Sequence, residues 1–249
     1  MKKLILIILF TGSIFAHDAY LKAKWNKAKT GIEIKPVVAS YFETKEVVPI
    51  KNHTRLFDLI VASPSIGKIE PNKISPDSTT LCEVETSNSI IAAVKVQPRD
   101  ITLPRKSATQ YFMHELGITG DNLKKTLEPG VDSVYEVYER ILKTVAATSN
   151  SVSDSLLGLP LEIVIKNVSV KKNKYNGIAT LYENGIIVKK GAIRILSNGK
   201  TKLVYTNNNG EIKFSSPNKN PILFAHIKLV KNSKINFNTY WTNTSLYFL

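Results

Sequence analysis

Short apolar segments separated by Asn-Gly turns are the feature that most constrains the fold of this chain. In the last third, the dipeptides Asn184-Gly185, Asn198-Gly199 and Asn209-Gly210 each separate two strand-like runs. Asn and Gly readily adopt the positive φ angles of tight hairpin turns, so this pattern is the strongest short signal for a β-hairpin. The pattern predicts about seven strands between Leu161 and Phe248, arranged as an antiparallel sandwich.

The first third of the chain also has the pattern of β-strands. Residues 31–38 and 56–62 alternate between apolar and polar side chains, and residues 89–96 form a continuous apolar run that we expect to end at Pro98. Proline-containing turns separate these runs, and strands at this spacing are typical of a β-sandwich.

The middle of the chain has a different period, which predicts helices. Ser107 to Gln110 has the pattern of a capping box, and it predicts a short helix through about Leu116 that Gly117 ends. A second amphipathic helix is predicted from apolar residues at helical spacing. These residues are Val131, Val134, Val137, Tyr138, Ile141, Leu142 and Val145.

Together these patterns predict a mainly β protein of two antiparallel β-sandwich domains, immunoglobulin-like or transthyretin-like, with a short helical insert. The predicted N-terminal sandwich covers residues 17–104, and the helical segment, packed on it, covers 105–150. The polar stretch 148–155 forms the predicted boundary, and the C-terminal sandwich covers 156–249.

The first sixteen residues have the pattern of a secretory signal peptide. Lys2 and Lys3 precede an apolar run, and a stretch of mostly small residues ends at Ala16. We therefore expect export to the periplasm and a mature chain that begins at His17. No later segment approaches the roughly 20 apolar residues of a membrane span, so we do not expect an integral membrane protein after cleavage.

Composition excludes several classes of function. The net charge is +14, but the lysines are scattered and are not interleaved with aromatic residues, so we do not expect a nucleic-acid groove. Cys82 is the single cysteine and cannot form an internal disulfide. The chain contains no CxxC, HExxH, phosphate-binding loop or nucleophile elbow, and we expect a protein that is not an enzyme.

The four histidines suggest a transition-metal site. A mature chain that begins at His17 would present an α-amine and an imidazole on one residue, which together chelate a metal. His226 lies in a predicted strand on the same face as Phe224, Asp18 could add an oxygen, and His114 is a further candidate. Such donors suit copper, nickel or zinc. His53 is a weaker candidate for a metal ligand, because it lies in a predicted loop.

Seven segments resemble, in order, the bacterial family called domain of unknown function 4198. The first, His17 to Leu21, is similar to its HDxWL opening, with Tyr20 in place of Trp. The others are Tyr111–Ile118, Gly158–Glu162 (the family's GLPLE), Leu181–Ala192, Thr206–Phe214, Ala225–His226 and Tyr240–Thr242. That family is grouped with periplasmic components of cobalt and nickel uptake.

The resemblance implies a periplasmic protein that binds nickel or cobalt through His17 and His226, and a metal permease as its partner. Two alternatives stay open at this point. The chain could be a non-catalytic envelope module whose β-sandwich binds or scaffolds other molecules without a metal. It could also be a copper mono-oxygenase, because such enzymes likewise begin with a histidine on a sandwich.

Overall fold

The computed structural model describes residues 18–39, 42, 47–49, 56–71, 82–85, 89–148, 152, 154–172, 174–217 and 220–249. His17, His53 and the whole predicted signal peptide lie outside the described residues. Most of the described chain is β-strand, so the prediction of a mainly β fold is confirmed. No helix within the described ranges is long and apolar enough to cross a membrane.

The described residues contain sixteen strands and two short helices. In chain order they are β1 (Asp18–Trp25), β2 (Gly31–Ala39), β3 (Val47–Pro49), β4 (Leu56–Ser63), β5 (Gly67–Lys68), β6 (Cys82–Glu85), β7 (Ser89–Pro104), α1 (Arg105–His114), α2 (Gly120–Thr126), β8 (Ser133–Ala147), β9 (Leu161–Lys171), β10 (Lys174–Glu183), β11 (Ile186–Ile187), β12 (Ala192–Ser197), β13 (Lys200–Tyr205), β14 (Glu211–Pro217), β15 (Ile222–Lys231) and β16 (Asn236–Phe248).

The strands form three sheets. A central sheet has the order β13-β12-β15-β16-β8-β7-β4-β5, and β8 and β16 run parallel in it. One outer sheet, here the N-terminal sheet, contains β1, β2, β3 and β6. The other, here the C-terminal sheet, contains β9, β10, β11 and β14.

The two outer sheets cover opposite faces of the central sheet. Along β15, Leu223 and Ala225 pack with the N-terminal sheet, whereas Ile222 and Phe224 pack with the C-terminal sheet. This alternation follows from the period of two in a strand, and it explains why the middle of β15 is apolar on both faces. The helices cover the same face as the N-terminal sheet, but nearer the end of β15, where Phe112 of α1 packs in one cluster with Ile227.

The predicted strands of the first and last thirds are confirmed, as are two of the hairpin turns. Asn184 and Gly185 have φ angles of 49° and 78°, and Asn198 and Gly199 have 51° and 68°. Two consecutive positive φ angles are the geometry of a type I′ turn, which joins β12 to β13 in one case and β10 to β11 in the other.

The predicted second helix, from Val131 to Val145, is wrong, because residues 133–147 form strand β8. Its apolar residues occur at helical spacing because the second half of β8 is buried on both faces, so the alternation expected of a strand disappears. Pairing with β7 on one side and β16 on the other decides the conformation. Helical structure in the predicted segment 105–150 therefore ends at Thr126.

Two predicted element ends also differ from the structure. Strand β7 continues past Pro98 to Pro104, because a register shift between Val96 and Arg99 accommodates a residue that cannot donate a ladder hydrogen bond. Helix α1 begins at Arg105 after Pro104 and has no side-chain cap, so the predicted capping box at Ser107 is wrong.

The division into two sandwich domains stays a prediction. The central sheet contains β7 and β8 from before the predicted boundary and β12, β13, β15 and β16 from after it. The two outer sheets are thus separate, but they pack on one shared sheet.

Candidate functional site

His226 lies on the face of the central sheet that the C-terminal sheet covers. Its side chain shares this face with Phe224, as the sequence predicts, and only 8% of the residue is exposed. The Nδ1 atom lies 2.7 Å from the carbonyl oxygen of Ala192, which accepts a hydrogen bond from it in the matching tautomer. Burial lowers the pKa of His226 and so favours the neutral imidazole.

Asp18 lies on the opposite face from His226. It is 3% exposed at the start of β1, and its Oδ1 accepts a hydrogen bond of 2.9 Å from Arg194. Arg194 pairs across strands with Ala225, so its side chain points to the N-terminal face, away from the neighbouring His226. The structure therefore does not bring Asp18 and His226 together.

The end of helix α1 does approach Asp18. His114 is the exposed last residue of the helix, and it directly precedes Glu115, whose Oε2 lies 2.6 Å from the same guanidinium nitrogen of Arg194. We call Asp18, Glu115 and Arg194 the arginine cluster. His17 precedes Asp18 in the chain, but its own position is outside the described residues.

Burial strongly affects the Glu115 carboxyl of the arginine cluster. Burial raises the pKa of Glu115 to about 7, against the opposing effect of Arg194. Glu115 Oε2 and Arg194 Nε are buried without hydrogen-bond geometry to any described residue, although Oε2 is in close ionic contact. At neutral pH the Glu115 carboxyl is thus divided between its charged and neutral forms.

A second carboxyl lies further along the same face. Glu136 of β8 accepts a hydrogen bond of 3.0 Å from the Tyr111 hydroxyl and a shorter one from Thr239, and burial raises its pKa. The Arg140 guanidinium stacks 4.3 Å from the centre of the Trp241 ring and contributes electrostatically to both Glu136 and Glu115. The face therefore carries three buried carboxyls and two guanidinium groups.

No three metal-ligating side chains converge among the residues that the structure describes. Asp18 is held by Arg194, His226 is on the other face, and His114 is exposed. This arrangement does not fit a site built from His17, Asp18 and His226 together.

A groove of about 440 Å³ lies on the face of the central sheet that carries His226. Residues from the middle of β7, β8 and β16 form its floor, and residues at the beginning of β9 and the end of β10 form the side that belongs to the C-terminal sheet. The lining residues are Phe57, Lys95, Val96, Glu139, Arg140, Ile141, Pro160, Leu161, Glu183, Asn184, Lys228, Val230, Tyr240 and Trp241.

Two ion pairs frame this groove. Lys95 contacts Asp58 at 2.8 Å, and Lys228 forms a close ion pair with Glu183 at the end of β10. The backbone amide of Asn184 donates to the Pro160 carbonyl, which closes the side formed by the C-terminal sheet. His226 precedes Lys228 by two residues and points to the same face, where Glu183 and Lys228 both contribute to its electrostatic environment.

Sequence reasoning missed the buried charged residues that organise both faces. Arg194 occurs in the apolar run Ala192–Leu196, Lys143 in Ile141–Ala147, and Glu162 in Leu161–Ile165. A single charged residue inside an apolar strand is a usable signal, because such a group is rarely buried unless it is paired. The pattern does not identify the partners, which lie on other elements.

Two comparisons with known proteins found no match. No protein-family model matches the chain, and a search of curated proteins finds no match. The resemblance to domain of unknown function 4198 stays a prediction, and the case for function depends on the site geometry.

Proposed function

We propose that this protein is a non-catalytic binding module and that its groove takes an apolar organic ligand with an anionic group. The observation that supports this is a groove of about 440 Å³ with an apolar floor and two lysines at its edge. Its volume lies within the roughly 300–1,000 Å³ typical of ligand sites.

The lining chemistry supports this class of ligand. Ile141, Leu161 and Tyr240 offer apolar contact, and Lys95 and Lys228 place two ammonium groups beside it. Each ammonium is already paired with a carboxylate, so an incoming anion would share the charge instead of meeting a free cation. The net charge of +14 would increase the local concentration of anions near the surface.

The test uses anilinonaphthalene sulfonate, a fluorescent apolar anion. We expect saturable one-to-one binding by the wild-type chain and about a tenfold weaker affinity, ~1.4 kcal/mol, in Lys228→Glu. Lys213→Glu is the matched control, because Lys213 is exposed on the outer surface of β14. Equal binding by both variants, or binding without saturation, would exclude the groove as the site.

Export to the periplasm is part of this proposal and depends on the leader pattern of residues 1–16. N-terminal sequencing of the protein from an expressing cell's envelope fraction would test it. Recovery of a chain that begins at His17 would support export, and recovery of an uncut chain in the cytoplasm would contradict it.

A metal-binding role is the second candidate, and one observation favours it in a revised form. The end of α1 places Glu115 against Arg194, which also pairs with Asp18, the residue that follows His17. We propose that nickel, cobalt or copper would be held by His17 and Glu115, with His114 near and without His226. A metal permease would be the partner of such a protein.

Calorimetric titration of the processed chain with each metal separates the two sets of ligands. The revised site predicts that His17→Ala abolishes binding, that Glu115→Gln weakens it, and that His226→Ala leaves it unchanged. Loss of binding in His226→Ala would restore the original pair of histidines. Absence of binding in the wild type would exclude metal handling and leave the groove proposal intact.

A further inference from the structure

A second buried charge cluster lies on the other side of the central sheet. Lys143 of β8 points to the face of the C-terminal sheet, where its Nζ lies 2.8 Å from Asp154 Oδ1 and 2.8 Å from Glu162 Oε1. All three side chains have no exposed surface. We call Lys143, Asp154 and Glu162 the lysine cluster.

The two carboxyls of the lysine cluster are held differently. Glu162 accepts hydrogen bonds from the backbone amides of Leu157, at 2.9 and 3.1 Å, and of Leu159, at 3.4 Å. Asp154 has one amide donor on each oxygen, from Ser155 and Ile165, and burial raises its pKa.

This arrangement contains the components of an amide-forming reaction. An amine and a carboxyl are in contact, a second carboxylate touches the same amine, and amides point at both oxygens of the first carboxyl. Fixed contact of this kind replaces a bimolecular encounter, and amides directed at a carbonyl oxygen stabilise the charge that develops there. Charged groups are costly to bury, and condensation would replace the Lys143 and Asp154 side chains by a neutral amide.

We propose that Lys143 and Asp154 condense spontaneously in the folded protein to form an intramolecular isopeptide bond, with Glu162 as the proton carrier. Glu162 removes one proton from the Lys143 ammonium, and the neutral Nζ attacks Cγ of the Asp154 carboxylic acid, so that the Nζ–Cγ bond forms. Glu162 passes its proton to the departing hydroxyl, the Cγ–O bond breaks, and water leaves. Glu162 then takes the second proton from Nζ, which becomes the amide nitrogen, and Glu162 ends in its protonated form. No oxidant, reductant or metal is required.

The bond would tie β8 to the segment that precedes β9. The segment 148–155, which the sequence predicts to be a polar loop, would then be anchored covalently at the base of the C-terminal sheet. Ser155 already participates in this contact, because its carbonyl accepts a hydrogen bond of 3.1 Å from Lys143.

Mass spectrometry of the intact full chain tests the proposal. We expect the mass to be lower, by one water, than the mass calculated from the N-terminus determined in the same sample. After denaturation and trypsin digestion, we expect the peptide from Ile141 to Lys166 to remain uncut at Lys143 and to contain the missing water. A folded wild-type chain with its full calculated mass would overturn the proposal.

Variants identify the chemistry independently of folding. Asp154→Asn should lose ammonia instead of water and reach the same final mass as the wild type, because both routes produce the same amide. Asp154→Ala and Glu162→Gln should keep their full calculated masses. A cyclic imide between Asp154 and Ser155 would also lose water, but trypsin would then cut after Lys143, and this result would overturn the proposal.

Discussion

The lysine cluster and the arginine cluster use the same chemistry on opposite faces of one sheet, but they are satisfied in different ways. In the lysine cluster every carboxylate oxygen accepts at least one hydrogen bond, and four backbone amides contribute. In the arginine cluster the partner of Glu115 Oε2 among the described residues is the Arg194 guanidinium, at 2.6 Å, and Arg194 Nε donates no hydrogen bond to a described residue.

The difference follows from where the members occur in the chain. Asp154 and Glu162 lie on either side of a short irregular segment whose backbone amides donate hydrogen bonds to them. Asp18, Glu115 and Arg194 come from a strand, a helix end and a strand of another sheet. Three distant elements meet there through side chains alone, so backbone groups do not complete the site, and a buried group without its partner is costly.

The largest expected effect is that of Lys143→Met. It leaves Asp154 and Glu162 buried without the amine that both contact, so we expect a loss of at least about 3 kcal/mol in the free energy of unfolding, and a greater loss where the wild type has formed the Lys143–Asp154 bond. Urea unfolding followed by circular dichroism measures it. Lys202→Met on the exposed edge strand β13 is the control. A loss under about 1 kcal/mol would mean that the stability of the lysine cluster does not depend on Lys143.

Arg194→Met should have a smaller effect, about 1–3 kcal/mol at pH 7, because Glu115 can take up a proton when its partner is removed. The same unfolding experiment, run at pH 6 and pH 8 (roughly one unit on either side of the Glu115 pKa), measures it. The loss should be greater at the higher pH. If Arg194→Met lost as much free energy of unfolding as Lys143→Met at both pH 6 and pH 8, the two clusters would not differ in their contribution to stability.

Glu115 should make stability depend on pH. Its pKa is about 7 in the folded state against an ordinary value of 4.5, so the folded chain binds more protons between these values. Stability therefore falls as pH rises from about 4.5 to about 7, by roughly 3 kcal/mol at most. Glu115→Gln should flatten this part of the curve of unfolding free energy against pH. An unchanged slope would indicate that Glu115 has an ordinary pKa.

Tyr111→Phe should have the smallest effect. It removes the hydrogen bond to buried Glu136, and we expect a loss of about 1 kcal/mol, measured by thermal unfolding. Tyr205→Phe removes a similar bond of 3.3 Å to the Gly117 carbonyl at an exposed position, and it serves as the matched control. If the two variants lose the same free energy of unfolding, the buried hydrogen bond from Tyr111 to Glu136 stabilises the fold no more than an exposed one.

Strands whose two faces have different surroundings were predictable from the sequence. β2 alternates because one face packs inside the molecule, and the Asn-Gly turns require positive φ angles that few other residues tolerate. β8 was not predictable in this way. Its apolar residues fit a helix and a doubly buried strand equally well, and only its neighbours β7 and β16 distinguish the two.

The candidate site was predictable only in part. The period of two along a strand predicts that the His226 side chain lies on the same face of the sheet as Phe224, and it does so in the structure. Its separation from Asp18 could not be read from the sequence, because it depends on which face of the central sheet each outer sheet covers. The groove was not predictable either, because its lining residues come from strands of two sheets that are distant in the chain.

The sequence alone thus determined the mainly β character, the hairpin turns and the alternation of faces along each strand, because these depend on local backbone preferences and on neighbours a few residues away. The tertiary structure decided the conformation of β8, the shared central sheet, both charge clusters and the groove. Each of these depends on contacts between residues distant in the chain, and local periodicity carries no information about such contacts.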